Sequence, residues 1–204
     1  MYPKILFGSM NRAKYDRILN ILKPLQLDIR NLEDVNITQI AEEDGKSPEE
    51  NAIKKADFYC KLAQLPTFAI DYGLHLDKFS SQKQPGVFVR RISKSTRSIT
   101  DDEILAYYCQ ELANIGGEST GRWICAIALA NIQGRIISSV FSSFALFTSR
   151  VSSILIPGEP LAALQYDPLI GKYMSEMTLE ERMQVQESMD KRIFEFMEVT
   201  MKSI

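Results

Sequence analysis

Two spacings of apolar residues alternate along this chain, and the switches between them divide it into elements. Residues 4–9, with the apolar run Ile5-Leu6-Phe7, read as a short buried strand. Residues 12–22 change to helical spacing, with Tyr15, Ile18 or Leu19, and Leu22 on one face. Pro24 ends that helix. A second strand is expected around 27–32, followed by polar loop. Ser47, Pro48, Glu49 and Glu50 then predict a helix start. Serine caps, proline suits the first turn, and the acids face the positive end of the dipole. This helix is expected to reach about residue 62. Residues 67–70 read as a strand that ends at Asp71-Tyr72-Gly73.

Residues 80–98 are polar and basic with no sustained period, and are expected to flank or cover an active site. Residues 101–112 are helical behind Thr100 as cap. Residues 123–132 and 135–147 predict two strands, and the turn residues around Gly134 predict an antiparallel hairpin between them. Residues 178–201 predict a C-terminal helix capped by Thr178, with Glu180 and Glu181 in its first turns. Alternating helices and strands plus one hairpin indicate an α/β fold with a mixed sheet in a single domain.

Charge narrows the function classes. The 204 residues carry 24 basic and 26 acidic side chains, a net charge of −2. That balance argues against a protein that coats DNA or RNA, yet leaves room for a local anion site. No apolar run approaches the roughly 18 residues that cross a bilayer, so no membrane partner is expected. Residues 1–8 do not read as a signal peptide. Cys60, Cys109 and Cys125 form neither a disulfide framework nor a Cys-x-x-Cys knuckle. A cytoplasmic location is expected. The single histidine, His75, excludes a multi-His metal site. Metal chemistry must then use carboxylates, which favours Mg²⁺ or Mn²⁺ over Zn²⁺.

Four constellations carry candidate chemistry. Ser9, Asn11 and Lys14 lie where a strand turns into a helix, a place that attracts anions; an ordinary capped helix explains them equally well. Glu43 precedes the helix bearing Lys55; the pair reads as metal ligand and phosphate contact, or as part of a solvated charged face. Asp71 ends an apolar strand, where α/β sheets bind ligands, and a turn aspartate before glycine is the plain alternative. Tyr166-Asp167-Pro168 forms a turn after a loop rich in proline.

In this order and at these distances, the pieces resemble the inosine-triphosphate pyrophosphatase family. That family opens with a strand and T-x-N-x-x-K, places that Ser9, Asn11 and Lys14 occupy here. Its E-x-G-x-(T/S)-x-x-E-N-A-x-x-K-A segment matches Glu43 through Ala56 nearly throughout. Its A-D-D-S-G-L reads Ala69-Ile70-Asp71-Tyr72-Gly73-Leu74, and its P-G-x-(Y/F)-x-x-R ends here at Arg91. Its G-Y-D-P becomes Gln165-Tyr166-Asp167-Pro168. The match is strong over 5–14 and 42–91 and weak over 95–160.

The resemblance implies an elongated, two-lobed α/β domain with a curved mixed sheet and a cleft, commonly a homodimer. It implies Mg²⁺-dependent hydrolysis of a nucleoside triphosphate to the monophosphate and pyrophosphate. Asp71 would be catalytic, and Glu43 and Asp71 would hold the metal. Ser9, Asn11, Lys14 and Lys55 would bind phosphates. Tyr72, Gly73, Arg91, Tyr166 and Asp167 would contact substrate. Three departures fall mostly at the base end. Ile70 replaces the first aspartate of the acidic pair. Ala163-Leu164-Gln165 replaces the G-F-G that supplies a stacking aromatic. Gln186-Glu187-Ser188 stands at the purine-reading S-H-R, with Lys191 and Arg192 about a turn further on as a displaced basic pair. Altered base specificity is therefore expected. The rival readings are a nucleotide-binding relative without activity and a ligand-free dimeric scaffold.

Overall fold

A computed structural model of the chain describes residues 3–90 and 99–202. Its strands are β1 (Lys4–Phe7), β2 (Asp28–Arg30), β3 (Thr67–Leu76), β4 (Glu118–Ala130), β5 (Ile136–Thr148), β6 (Gln165–Asp167) and β7 (Lys172–Tyr173). They hydrogen-bond in the order β2-β1-β3-β4-β5-β6-β7. β1 runs parallel to both β2 and β3, while β6 is antiparallel to β5 and β7, so the sheet is mixed as expected. The helices are α1 (Arg12–Leu22), α2 (Pro48–Ala63), α3 (Asp101–Asn114) and α4 (Leu179–Thr200). None of the described helices is long and apolar enough to cross a membrane. The chain divides into two compact units whose boundaries fall inside β3, β4, β5 and α4.

The first unit comprises Met1–Tyr72, Ile124–Phe141 and Ser188–Ile204. Its strands alternate large and small residues, and each kind faces a different helix layer. Ile5, Phe7, Phe68, Ile70, Ile127 and Leu129 pack with Tyr15, Ile18 and Leu22 of α1 and Met189, Ile193 and Met197 of α4. The intervening Ala69, Ala126, Ala128 and Ala130 pack with Ala52, Ala56 and Cys60 of α2. Small side chains on both surfaces let α2 approach the sheet closely. α1 has no acid in its first turn and no base in its last. Packing must hold it, since each fully buried Ile or Phe contributes about 1.5–3 kcal/mol. Of the two candidates for its inner face, Ile18 is buried and Leu19 is exposed.

The second unit comprises Gly73–Trp123 and Ser142–Glu187. Ile104, Tyr108 and Leu112 of α3 pack on Leu74, Leu76, Ala145 and Phe147. Thr100 caps α3 in a reciprocal capping box with Glu103, as its sequence predicts. Thr178 and Glu181 exchange the same kind of bonds at the start of α4, at 3.2 and 2.8 Å.

Three boundaries differ from expectation. β3 does not stop at Asp71 but continues to Leu76. Leu74 donates to Gly86 and accepts from it, so the backbone beyond the aspartate finds partners that no local pattern reveals. β4 begins at Glu118 rather than near 123. β6 runs through Tyr166 and Asp167, so the turn expected at Tyr166-Asp167-Pro168 starts at its end and joins it to β7.

Candidate functional site

A buried polar cluster of the first unit forms around β3. Because Ala69 faces α2, Asp71 points to the same side two residues later, into the layer that α2 covers. Both Asp71 and Lys55 are buried, at 6% and 5% exposure. The Lys55 ammonium donates to Asp71 Oδ1 at 2.8 Å and to the Ile70 carbonyl at 3.2 Å. Asn51 Nδ2 donates to Asp71 Oδ2 at 3.1 Å. Asn51 and Lys55 stand one helical turn apart on α2, so one helix face clamps both carboxylate oxygens. Burying an unpaired carboxylate costs several kcal/mol, and this clamp offsets that cost.

The clamp extends backwards along the chain. Gly45 N–H donates to Asn51 Oδ1 at 2.8 Å, which orients the amide toward Asp71. A Cβ at Gly45 would stand 2.5 Å from that oxygen, so close approach is what this glycine provides. Ser47 caps α2 by accepting from Glu50 N–H at 3.2 Å. Exposed Glu43 places Oε1 at 3.6 Å from the Lys55 ammonium. Lys55 therefore reaches both candidate metal-binding carboxylates.

The α1 start supplies the second part. Asn11 Oδ1 accepts from Lys14 N–H at 2.9 Å, and Ser9 Oγ accepts from Asn11 N–H at 3.2 Å. Ser9 and Asn11 thus perform the capping role that the plain reading assigns them. Lys14 is half-buried with its ammonium 5.1 Å from the centre of the Tyr72 ring. Burial, and next the like charge of Lys55, hold its pKa below the ordinary lysine value; Asp71 and Glu43 pull the other way. An anion between Lys14 and Lys55 would relieve both effects.

Sequence reasoning assigned no role to Asn51, Arg17, Cys125 or Asp190. Arg17 lies one turn after Lys14, donates to the Tyr72 hydroxyl at 3.5 Å and pairs with Asp190 of α4. Burial raises the Tyr72 phenol above its ordinary value and pushes the Cys125 thiol up to about 11. The i, i+3 spacing of Lys14 and Arg17 was a usable signal. Nothing local pointed to Asp190, 173 residues away.

Lys191 and Arg192 are exposed on α4; Lys191 is 4.0 Å from Glu195 and Arg192 lies 6.0 Å over the Phe141 ring. Gly73, Tyr166 and Asp167 belong to the second unit. Gly73 is buried within β3. Tyr166 packs edge-on against Tyr173 at 5.3 Å. The Asp167 carboxylate accepts from the Leu169 and Ile170 N–H groups at 2.8 and 3.0 Å, so it builds its own turn. Arg91 lies outside the described residues. Ile70, at the place of the first acidic residue, is buried in the core with α1 and α4.

Among the described residues no three His, Cys, Asp or Glu side chains converge as a metal cage. Glu43 and Asp71 are hard oxygen donors. Mg²⁺ is ordinarily held by one or two carboxylates, with substrate phosphates and water completing its shell. The donor set therefore fits Mg²⁺ or Mn²⁺ that arrives with a polyphosphate.

Comparison with known proteins adds independent observations. A sequence profile of the Ham1 family matches residues 5–189. The chain is 30% identical over 186 residues to a protein of Geobacter sulfurreducens named dITP/XTP pyrophosphatase, covering 88% of this chain and 87% of that one. It is 29% identical over 193 residues to a protein of the same name from Desulfotalea psychrophila, covering 91% and 80%. The structure of the Staphylococcus aureus Ham1 protein matches with a TM-score of 0.77 at 18% identity, covering 97% of this chain and 99% of that one, a likeness of fold.

Proposed function

We propose that this chain, which belongs to the Ham1 family, hydrolyses nucleoside triphosphates to the monophosphate and pyrophosphate. The observation that carries the proposal is the buried clamp of Lys55 and Asn51 on Asp71, beside the desolvated Lys14. Two lysines with one buried carboxylate suit a polyphosphate, because phosphoryl chemistry asks mostly for positioning and charge neutralisation. The names of the curated relatives support the same reaction.

In this proposal Lys14, Lys55 and the α1 start bind the phosphates. Glu43 and Asp71 hold Mg²⁺ or Mn²⁺, which when bound supplies charge neutralisation and a more acidic water. Asp71 accepts one bond on each oxygen in the clamp. A carboxylate has about four acceptor sites, so capacity remains to orient the attacking water and take its proton. Water oxygen bonds to the α-phosphorus, the α–β bridging bond breaks, and pyrophosphate leaves with the electron pair. Lys55 and Asn51 hold the Asp71 carboxylate in place for that proton transfer.

Altered base specificity belongs to the proposal. Glu187 and Ser188, at the purine-reading place, are exposed, and Lys191 and Arg192 turn to Glu195 and Phe141. Homodimer assembly and a cytoplasmic location belong to it also; sedimentation and cell fractionation test them. The deciding experiment is a panel of nucleoside triphosphates with Mg²⁺, reading pyrophosphate separately from phosphate. Pyrophosphate from any member supports the reading. Binding without pyrophosphate across the panel replaces it with a nucleotide-binding role.

A further inference from the structure

Adjacent residues of β3 hold two different cations on opposite faces of the sheet. Asp71 faces α2 and binds Lys55. Tyr72 faces the layer of α1 and α4, and its ring stands beneath the Lys14 ammonium. Among the described residues no carboxylate oxygen comes within salt-bridge distance of Lys14, although Asp71 and Glu43 both attract it. The ring gives that ammonium an alternative seat, since the face of an aromatic ring attracts a cation without neutralising it.

The ring is itself held. Its hydroxyl accepts from Arg17, which Asp190 of α4 anchors. Arg17 is one turn from Lys14 on the same helix, so α1 carries both the cation and the clasp on the ring beneath it.

We infer that Tyr72 is a positioning residue: its ring keeps the Lys14 ammonium off Asp71 and poised, uncompensated, for the phosphates of the substrate. The inference rests on the polyphosphate site proposed above and assigns Tyr72 a role distinct from direct contact with substrate. The consequence is a division of labour. Lys55 meets the phosphates while already bonded to Asp71, and Lys14 meets them with no carboxylate partner among the described residues.

Equilibrium binding of inorganic triphosphate, measured by calorimetry, tests this without requiring turnover, so a protein that fails to hydrolyse nucleotides still answers. Wild type, Lys14→Met, Tyr72→Leu and the double variant form the cycle. Tyr72→Leu is expected to weaken binding about 5- to 20-fold, the scale of a partly desolvated cation–π contact. In the Lys14→Met background the same change should alter binding less than twofold, because the ring acts through the lysine. Tyr72→Phe keeps the ring and should stay within about threefold of wild type. In any active protein Tyr72→Leu should raise KM more than it lowers kcat.

Equal losses from Tyr72→Leu with and without Lys14 would overturn the inference, as would a wild type that does not bind triphosphate. Loss of the same size in Tyr72→Phe would move the role to the hydroxyl and overturn it also. Should Tyr72→Leu fail to fold, pentafluorophenylalanine at position 72 keeps the shape and removes the negative ring face. The same coupling is then expected, and its absence counts against the inference.

Discussion

Asp71 stands two residues before Gly73 and Asp167 directly before Pro168, and the structure uses the two aspartates oppositely. The Asp71 carboxylate is buried and receives its two bonds from side chains of α2, 16 and 20 residues away in sequence. The Asp167 carboxylate is half-buried and receives its bonds from backbone two and three residues ahead. The first is held by a cation and an amide from a different element, one on each oxygen. The second is consumed in closing a turn. Residue type is therefore a poor guide to chemistry; the origin of the hydrogen-bond donors is a better one.

Substitutions should separate the two sites. Asp71→Asn is expected to lower pyrophosphate release per folded molecule about 10³-fold, within the range of a lost general base; undiminished release would remove Asp71 from the mechanism. Lys55→Met leaves the Asp71 charge buried without its cation and should cost about 3 kcal/mol in urea unfolding. Adding Asp71→Asn to Lys55→Met should restore part of that loss, and a purely additive double variant would show that the pair is not coupled.

Gly45→Ala should cost about 1–2 kcal/mol, because its Cβ meets the Asn51 oxygen and the Glu50 Cβ at 2.5 and 2.9 Å. Asp167→Ala should cost about 1 kcal/mol, and Asp167→Asn, which keeps an acceptor for the turn, less than half of that. Equal losses in the two variants would mean that the charge at 167 matters after all.

The smallest effect concerns pH. Lys14 has a lower pKa folded than unfolded, so the unfolded chain binds more protons between the two values. Its burial penalty is therefore present below the folded pKa and lifts as pH rises toward the unfolded value of 10.5. Stability should gain with pH across that interval, and Lys14→Met should flatten the gain in denaturant midpoints taken along it.

Much of the helical architecture was legible. α1 spans the expected residues, and Ser47, Thr100 and Thr178 cap where their positions indicate. The membership of Asp71, Lys55, Lys14 and Glu43 in one electrostatic cluster was anticipated by family resemblance; their segments alone left a bland reading open for each. The length of β3 was not legible, because Gly86 supplies its continuation. Neither was the Arg17–Asp190 pair, which joins the first helix to the last.

What the chain determines alone is what acts over one or two turns: caps, breakers, and the alternation that sends Phe68 and Ile70 to one face and Ala69 and Asp71 to the other. These depend on steric and hydrogen-bonding choices among neighbours, and they survive in any fold that keeps the element. The tertiary structure decided which cation each group meets. Lys55 pairs with Asp71 because α2 packs on the alanine face of β3, and Lys14 rests on Tyr72 because α1 packs on the other. Charges so buried are sensitive to single ångströms, and only the packing of distant segments sets distances on that scale.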